Sequence, residues 1–210
     1  MKILVGRQHP LLRVLLFALL FTTTFSGKNP TFPDTLNLGF EQLSVYEEPV
    51  NWNVAGGLQP TGNRGNITEE QGAIGSLDTK IVHGGKRSLS IEMLPAGFYA
   101  RGICTSSDSL HRLLKGKTIT YSGWIKIKDI TKSAGLWWRV DGKNHRTLAF
   151  NNMDDTAYHG THDWKRFSFT LPVSEAAVNI DFGVIVHGKE GGKVWFDDLQ
   201  IDTNGVLFAK

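Results

Sequence analysis

The sequence predicts an all-β fold, an antiparallel two-sheet β-sandwich of the jelly-roll kind. Three observations predict it. Apolar and polar side chains alternate along most of the chain, no stretch after the leader carries apolar residues at helical spacing for three turns, and glycine-containing turn signals separate the alternating runs. A strand with one apolar face must bury that face against another layer, so such strands pair into two sheets over a shared core.

Each element follows from its phase. Ser88 to Met93 puts Leu89, Ile91 and Met93 on one side and Ser88, Ser90 and Glu92 on the other. Lys117 to Ile127 puts Ile119, Tyr121, Ile125 and Ile127 on one side, with Thr118, Thr120, Ser122, Trp124 and Lys126 opposite. Lys165, Phe167, Phe169 and Leu171 oppose Trp164, Arg166, Ser168 and Thr170, while Val178, Ile180, Phe182, Val184 and Val186 oppose Asn179, Asp181 and Ile185. Turns are marked by Gly84-Gly85, Asp141-Gly142, His187-Gly188 and Gly191-Gly192. The long Gly- and Asn-rich connection from Gly56 to Gly75 suits a crossing between sheets better than the tight hairpins of the alternative, an up-and-down barrel. In the strand from Lys193 to Asp202, Val194 and Phe196 are out of phase with Leu199 and Ile201. Both pairs reach the core only if one residue is inserted near Asp197 and Asp198, which predicts a β-bulge there.

Residues 1–26 are set apart from the fold. Lys2, Arg7 and Arg13 come first, then the apolar run Val14 to Phe21, then the small-residue stretch Thr22 to Ser26, the order of a secretory signal peptide. The apolar run is eight residues, against the about 20 a spanning helix needs. No cysteine stands at the cut expected before Gly27 to accept a lipid. The expected product is a secreted or periplasmic β-sandwich domain, residues 27–210, with no membrane insertion after signal cleavage. Removing the leader takes three cations and no acid, so the formal charge of +3 falls to zero. A neutral chain lacks the positive field that nucleic acid or anionic lipid would require, and nucleic acid is excluded as a partner. The one cysteine, Cys104, has no internal disulfide partner and reads as a small buried apolar residue.

Four segments carry a family pattern. Asn37-Leu38-Gly39-Phe40-Glu41, Gly84-Gly85-Lys86-Arg87-Ser88-Leu89, Tyr121-Ser122-Gly123-Trp124-Ile125-Lys126 and Val194-Trp195-Phe196-Asp197-Asp198-Leu199 resemble the signature segments of carbohydrate-binding modules of families four and nine. That resemblance implies a galactose-binding-like jelly roll with one concave face as its ligand surface. A second set, Gly135 to Gly142, Phe150 to Met153, Gly160 to Trp164 and Phe182-Gly183, resembles the accessory β-sandwich found beside tail-specific serine peptidases and beside some bacterial regulators and esterases. Asn151 stands where that pattern usually has Asp. No peptidase or regulator follows the last strand in this sequence, so those activities are not carried over.

The candidate recognition surface is Trp137, Arg139 and Asp141, alternating on one side of a strand whose other side holds Leu136, Trp138 and Val140. Sugar rings pack a C–H face on aromatic planes, and their hydroxyls bond to guanidinium and carboxylate, so these residue types suit a glycan. The bland alternative is a structural Arg-Asp pair covered by a Trp. Asn152 and Trp124 are secondary candidates. Related modules carry a calcium ion, and the resemblance implies one structural Ca²⁺ held by Glu41, Asp197 and Asp198 with backbone oxygens near Gly39 and Lys86. Two solvated acids and a local turn are the alternative. His145, His159 and His162 lie near Asp154, Asp155 and Asp163, but no helix mounts them at metallohydrolase spacing. No Gly-x-Ser-x-Gly elbow occurs, and no catalytic residue is assigned. The expected partner is carbohydrate, glycan or polysaccharide; a protein-interaction module whose same face binds another exported protein is the alternative.

Overall fold

Strand pairing follows the alternation. A computed structural model describes residues 36–54, 58–59, 72–95, 97–105, 108–156, 158–203 and 206–209; the expected leader, 1–26, lies outside them. In chain order the strands are β1 (Trp52–Val54), β2 (Leu58–Gln59), β3 (Ala73–Asp78), β4 (Ser88–Met93), β5 (Tyr99–Cys104), β6 (Thr118–Ile130), β7 (Ser133–Asp141), β8 (Thr147–Asn151), β9 (Gly160–Pro172), β10 (Asn179–His187), β11 (Lys193–Thr203) and β12 (Val206–Ala209). One sheet has the order β1-β5-β10-β7-β8 and is antiparallel throughout. The second runs β2-β3-β4-β11-β6-β9, with β12 also on β11. Two open sheets make this a sandwich and dispose of the barrel. The short β2 pairs parallel with β3, against the otherwise antiparallel pattern.

The apolar faces meet between the sheets. Leu89, Ile91, Ile125, Ile127 and Phe196 come from the seven-stranded sheet, and Leu136, Trp138, Val140, Phe182 and Val184 from the five-stranded one. Each such side chain, fully buried, contributes roughly 1.5–3 kcal/mol. Trp138 stacks on Phe182 with centroids 4.6 Å apart, and Tyr121 meets both edge-on.

The expected insertion in β11 is present. Pairing with β6 shifts between Asp197 and Gln200, and Asp198 turns to φ +46°. Val194, Phe196, Leu199 and Ile201 are consequently all buried. A helix that the three-turn criterion passes over, α1 (Asp108–Leu114), packs Leu110 and Leu114, one turn apart, into the core. Two turns of pattern are too short to separate from a loop by periodicity.

Leu36, Leu38 and Phe40, ahead of the first strand, are buried in the same core. The Asn37 side chain donates to the carbonyls of Gln42 and Val50, Trp52 Nε1 donates to the Leu36 carbonyl, and the Leu199 amide donates to the Leu38 carbonyl at 3.1 Å. Among the described residues no helix is long and apolar enough to cross a membrane.

Candidate functional site

With Leu136, Trp138 and Val140 turned to the core, the alternate residues of β7 stand on the outer face of the five-stranded sheet. Register sets them in rows across β7, β10 and β5. Ser133 lies beside His187 and Tyr99, Gly135 beside Ile185 and Arg101, and Trp137 beside Gly183 and Ile103. Arg139 lies between Phe150 of β8 and Asp181, and Asp141 beside Asn179.

Trp137 is outside the layers, as its phase predicts, yet it is only 4% exposed. Its row explains this. Gly183 has no side chain, so the indole lies across β10 and donates from Nε1 to the Gly102 carbonyl of β5 at 3.2 Å. The Arg101 guanidinium carbon then sits 5.5 Å from the ring centroid. The open aromatic platform expected at Trp137 is therefore corrected to a covered floor.

Arg139 and Asp141 form the expected pair. Arg139 Nε lies 3.0 and 2.9 Å from the two carboxylate oxygens, and Thr147 Oγ1 donates to the same group at 3.3 Å. The Asp141 side chain is nearly enclosed while that of Arg139 is 41% exposed, so the cation is what faces solvent.

Asn152 follows β8 and is tied to Asp154, donating from Nδ2 to its carboxylate and accepting the Asp154 amide at 3.3 Å. Asp154 Oδ1 lies 3.7 Å from His187 Nδ1, which places Asn152 one contact away from the His187 end of the face. Asn151 Oδ1 accepts the Met153 amide, a local turn. Trp124 departs from the expectation. It is on β6, outward on the seven-stranded sheet, stacked on His83 at 3.9 Å, so it and Trp137 face opposite sides of the sandwich and cannot share a ligand.

Residues the sequence reading passed over complete the face. Tyr99 packs 5.1 Å from the His187 ring, Ser133 Oγ lies 3.4 Å from His187 Nδ1, Asn179 Nδ2 donates to Asp181 at 2.8 Å, and Phe150 is 53% exposed. The signal in β5 is faint because its inward positions are Ala100, Gly102 and Cys104, all small.

The carboxylates expected to hold calcium converge on the loop between β3 and β4. Glu41 Oε1 accepts the amides of Lys86 and Arg87 at 2.6 and 3.1 Å. Asp197 Oδ2 accepts those of His83 and Gly84, its Oδ1 accepts the Asp198 amide, and Asp198 Oδ2 lies 2.7 Å from His83 Nδ1. Lys86 gives its N–H to Glu41, whereas the implied calcium shell would use its carbonyl. A Cβ added at Gly39 would lie 3.9 Å from Glu41 Cγ, so the Gly39 backbone runs beside that side chain. As arranged, these carboxylates cap the loop through its backbone amides, and a Ca²⁺ beside them would need several further oxygen ligands. Burial pushes the Asp197 carboxyl up to about 6, against three amide hydrogen bonds that lower it. No group of three or more His, Cys, Asp or Glu able to hold a metal occurs among the described residues, His145, His159 and His162 included. Burial pushes the Cys104 thiol up to about 12, which suppresses the thiolate a nucleophile would need.

No family model matches the chain. Over 87 residues, 41% of its length, the chain is 38% identical to an uncharacterized HTH-type transcriptional regulator, YbfP of Bacillus subtilis (strain 168). It spans only 29% of that protein. Among solved structures, the N-terminal CBM22-1-CBM22-2 tandem domain of Paenibacillus barcinonensis Xyn10C matches with a TM-score of 0.51 at 14% identity, covering 82% of this chain and 45% of that one. A family 16 carbohydrate binding module matches with a TM-score of 0.48 at 13% identity, covering 61% and 84%. These modules belong to families 22 and 16, not to families four and nine as the signature segments suggest. What is shared is the β-sandwich fold.

Proposed function

We propose that the chain is a non-catalytic carbohydrate-binding module that takes glycan on the outer face of the five-stranded sheet, and that residues 1–26 export it to the exterior of the cell envelope. The observation that carries this reading is the face itself. Polar groups held in fixed positions, Arg139 by Asp141 and Asp181 by Asn179, stand beside the exposed Phe150, and Tyr99 with His187 ends the same face of the sheet. Such a mixture supplies C–H stacking surface and hydrogen bonds whose ordering cost has been met by the fold. The sandwich likeness to carbohydrate-binding modules supports it.

Affinity electrophoresis across soluble glycans tests it. The expected result is retardation by at least one glycan, weakened by Arg139→Ala. Unchanged mobility across a broad panel would refute the reading.

A second reading has one observation in its favour, the partial identity to a bacterial regulator. On this reading the sandwich of the present chain is an accessory or protein-interaction domain. A stoichiometric protein partner from envelope fractions, displaced by Arg139→Ala and untouched by sugars, would favour it.

A further inference from the structure

We infer that the glycan taken by this face is anionic, a uronic-acid-containing polysaccharide whose carboxylates pair with Arg101 and Arg139. The inference rests on the carbohydrate-binding reading above and narrows its ligand class.

The argument is one of uncommitted donors. The Arg101 guanidinium lies over the Trp137 ring, and no carboxylate pairs with it among the described residues. Arg139 reaches both Asp141 oxygens from Nε alone. Its two terminal nitrogens make no hydrogen bond among the described residues, and the side chain is 41% exposed. A guanidinium carries five N–H donors in a planar fork that matches a carboxylate. Two such forks stand in the register rows on either side of the Trp137 row.

The acids of the same face are engaged elsewhere. Asp141 is held by Arg139 and Thr147, Asp181 accepts from Asn179, and Asp154 is tied to Asn152 and faces His187. Asp181, bonded to a neutral amide, keeps its charge beside Arg139, so the cation of the face that no acid answers is Arg101. A neutral sugar would leave the Arg101 charge unanswered. A uronate would pair it, and its ring could lie against the exposed edge of Tyr99 beside Arg101 or of Phe150 beside Arg139.

The test is affinity electrophoresis of the chain in gels containing polygalacturonate, alginate or hyaluronan, beside methyl-esterified polygalacturonate and neutral xylan and galactan. The expected result is retardation by at least one polyuronate, at least tenfold weaker in Arg101→Gln and in Arg139→Gln, and weakening as salt rises. Circular dichroism and urea midpoints matching the parent would show that both variants fold; Arg101→Lys, which keeps the charge and loses the fork, should bind in between. Retardation by neutral glycans alone, or polyuronate binding indifferent to Arg101→Gln, overturns this inference and leaves carbohydrate binding standing. No retardation in any gel overturns both.

Discussion

Gly183→Ala should unfold the sandwich more easily, for a steric reason alone. No left-handed backbone angle marks Gly183, so alanine meets no conformational penalty there. A Cβ at that site would lie 2.9 Å from the Gly102 carbonyl carbon and nearer still to its oxygen, the atom that accepts from Trp137 Nε1. Ordinary contact begins near 3.4 Å, so β5 and β10 must separate by at least half an ångström at their shared centre. Overpacking of this kind costs typically 1–3 kcal/mol, and the loosened hydrogen bond about 1 kcal/mol more. With a urea slope of about 2 kcal/mol per molar, a loss of about 3 kcal/mol lowers the midpoint by about 1.5 M with the slope unchanged. Gly191→Ala is the comparison. Its φ is +87° and nothing lies within 4 Å of the added carbon, so only backbone strain acts, about 1 kcal/mol. Equal midpoints for the two variants, or a Gly183→Ala midpoint within 0.2 M of the parent, would refute the clash.

Stability should fall between about pH 4 and pH 6. Asp197 binds its proton more tightly folded than unfolded, so its contribution is whole below the ordinary carboxylate range and disappears as pH rises through about 6. The loss is up to about 3 kcal/mol, read from urea midpoints at pH 4.5 and 7, and Asp197→Asn should flatten the slope. Cys104 should resist a thiol reagent at pH 8 in the folded chain and react within minutes in urea, because it is buried and its thiol is pushed up to about 12; equal rates would contradict its burial. Thermal midpoints in EDTA and in millimolar Ca²⁺ should agree, since Glu41 Oε1 and both Asp197 oxygens accept backbone amides and Glu41 Oε2 lies 3.6 Å from Arg87; a rise of several degrees with calcium would show that the carboxylates join an ion shell. Phe182→Ala should cost about 3–5 kcal/mol through loss of its stack on Trp138, measured as a urea midpoint.

What was legible in the sequence was local. The phase slip between Phe196 and Leu199 announced the bulge at Asp197 and Asp198, and β4 begins and ends at the residues its alternation marks. The side of β7 that carries Trp137, Arg139 and Asp141 was legible for the same reason. Two features were hidden because they depend on partners far along the chain. Trp137 is covered because Gly183 and Gly102 leave room for it to lie down, and neither glycine is near it in sequence. Trp124 has the outward phase expected of it, but phase does not say to which sheet a strand belongs. Arg101 carries no sequence signal because the small inward residues of β5 give it almost no hydrophobic rhythm.

The hydrogen bond from the Leu199 amide to the Leu38 carbonyl ties one of the earliest described residues to the longest-delayed of the core strands. Nearly every layer of the sandwich lies between them in sequence, and such distant pairings form slowly. A chain emerging from the ribosome amino end first cannot make this tie until residue 199 has been made.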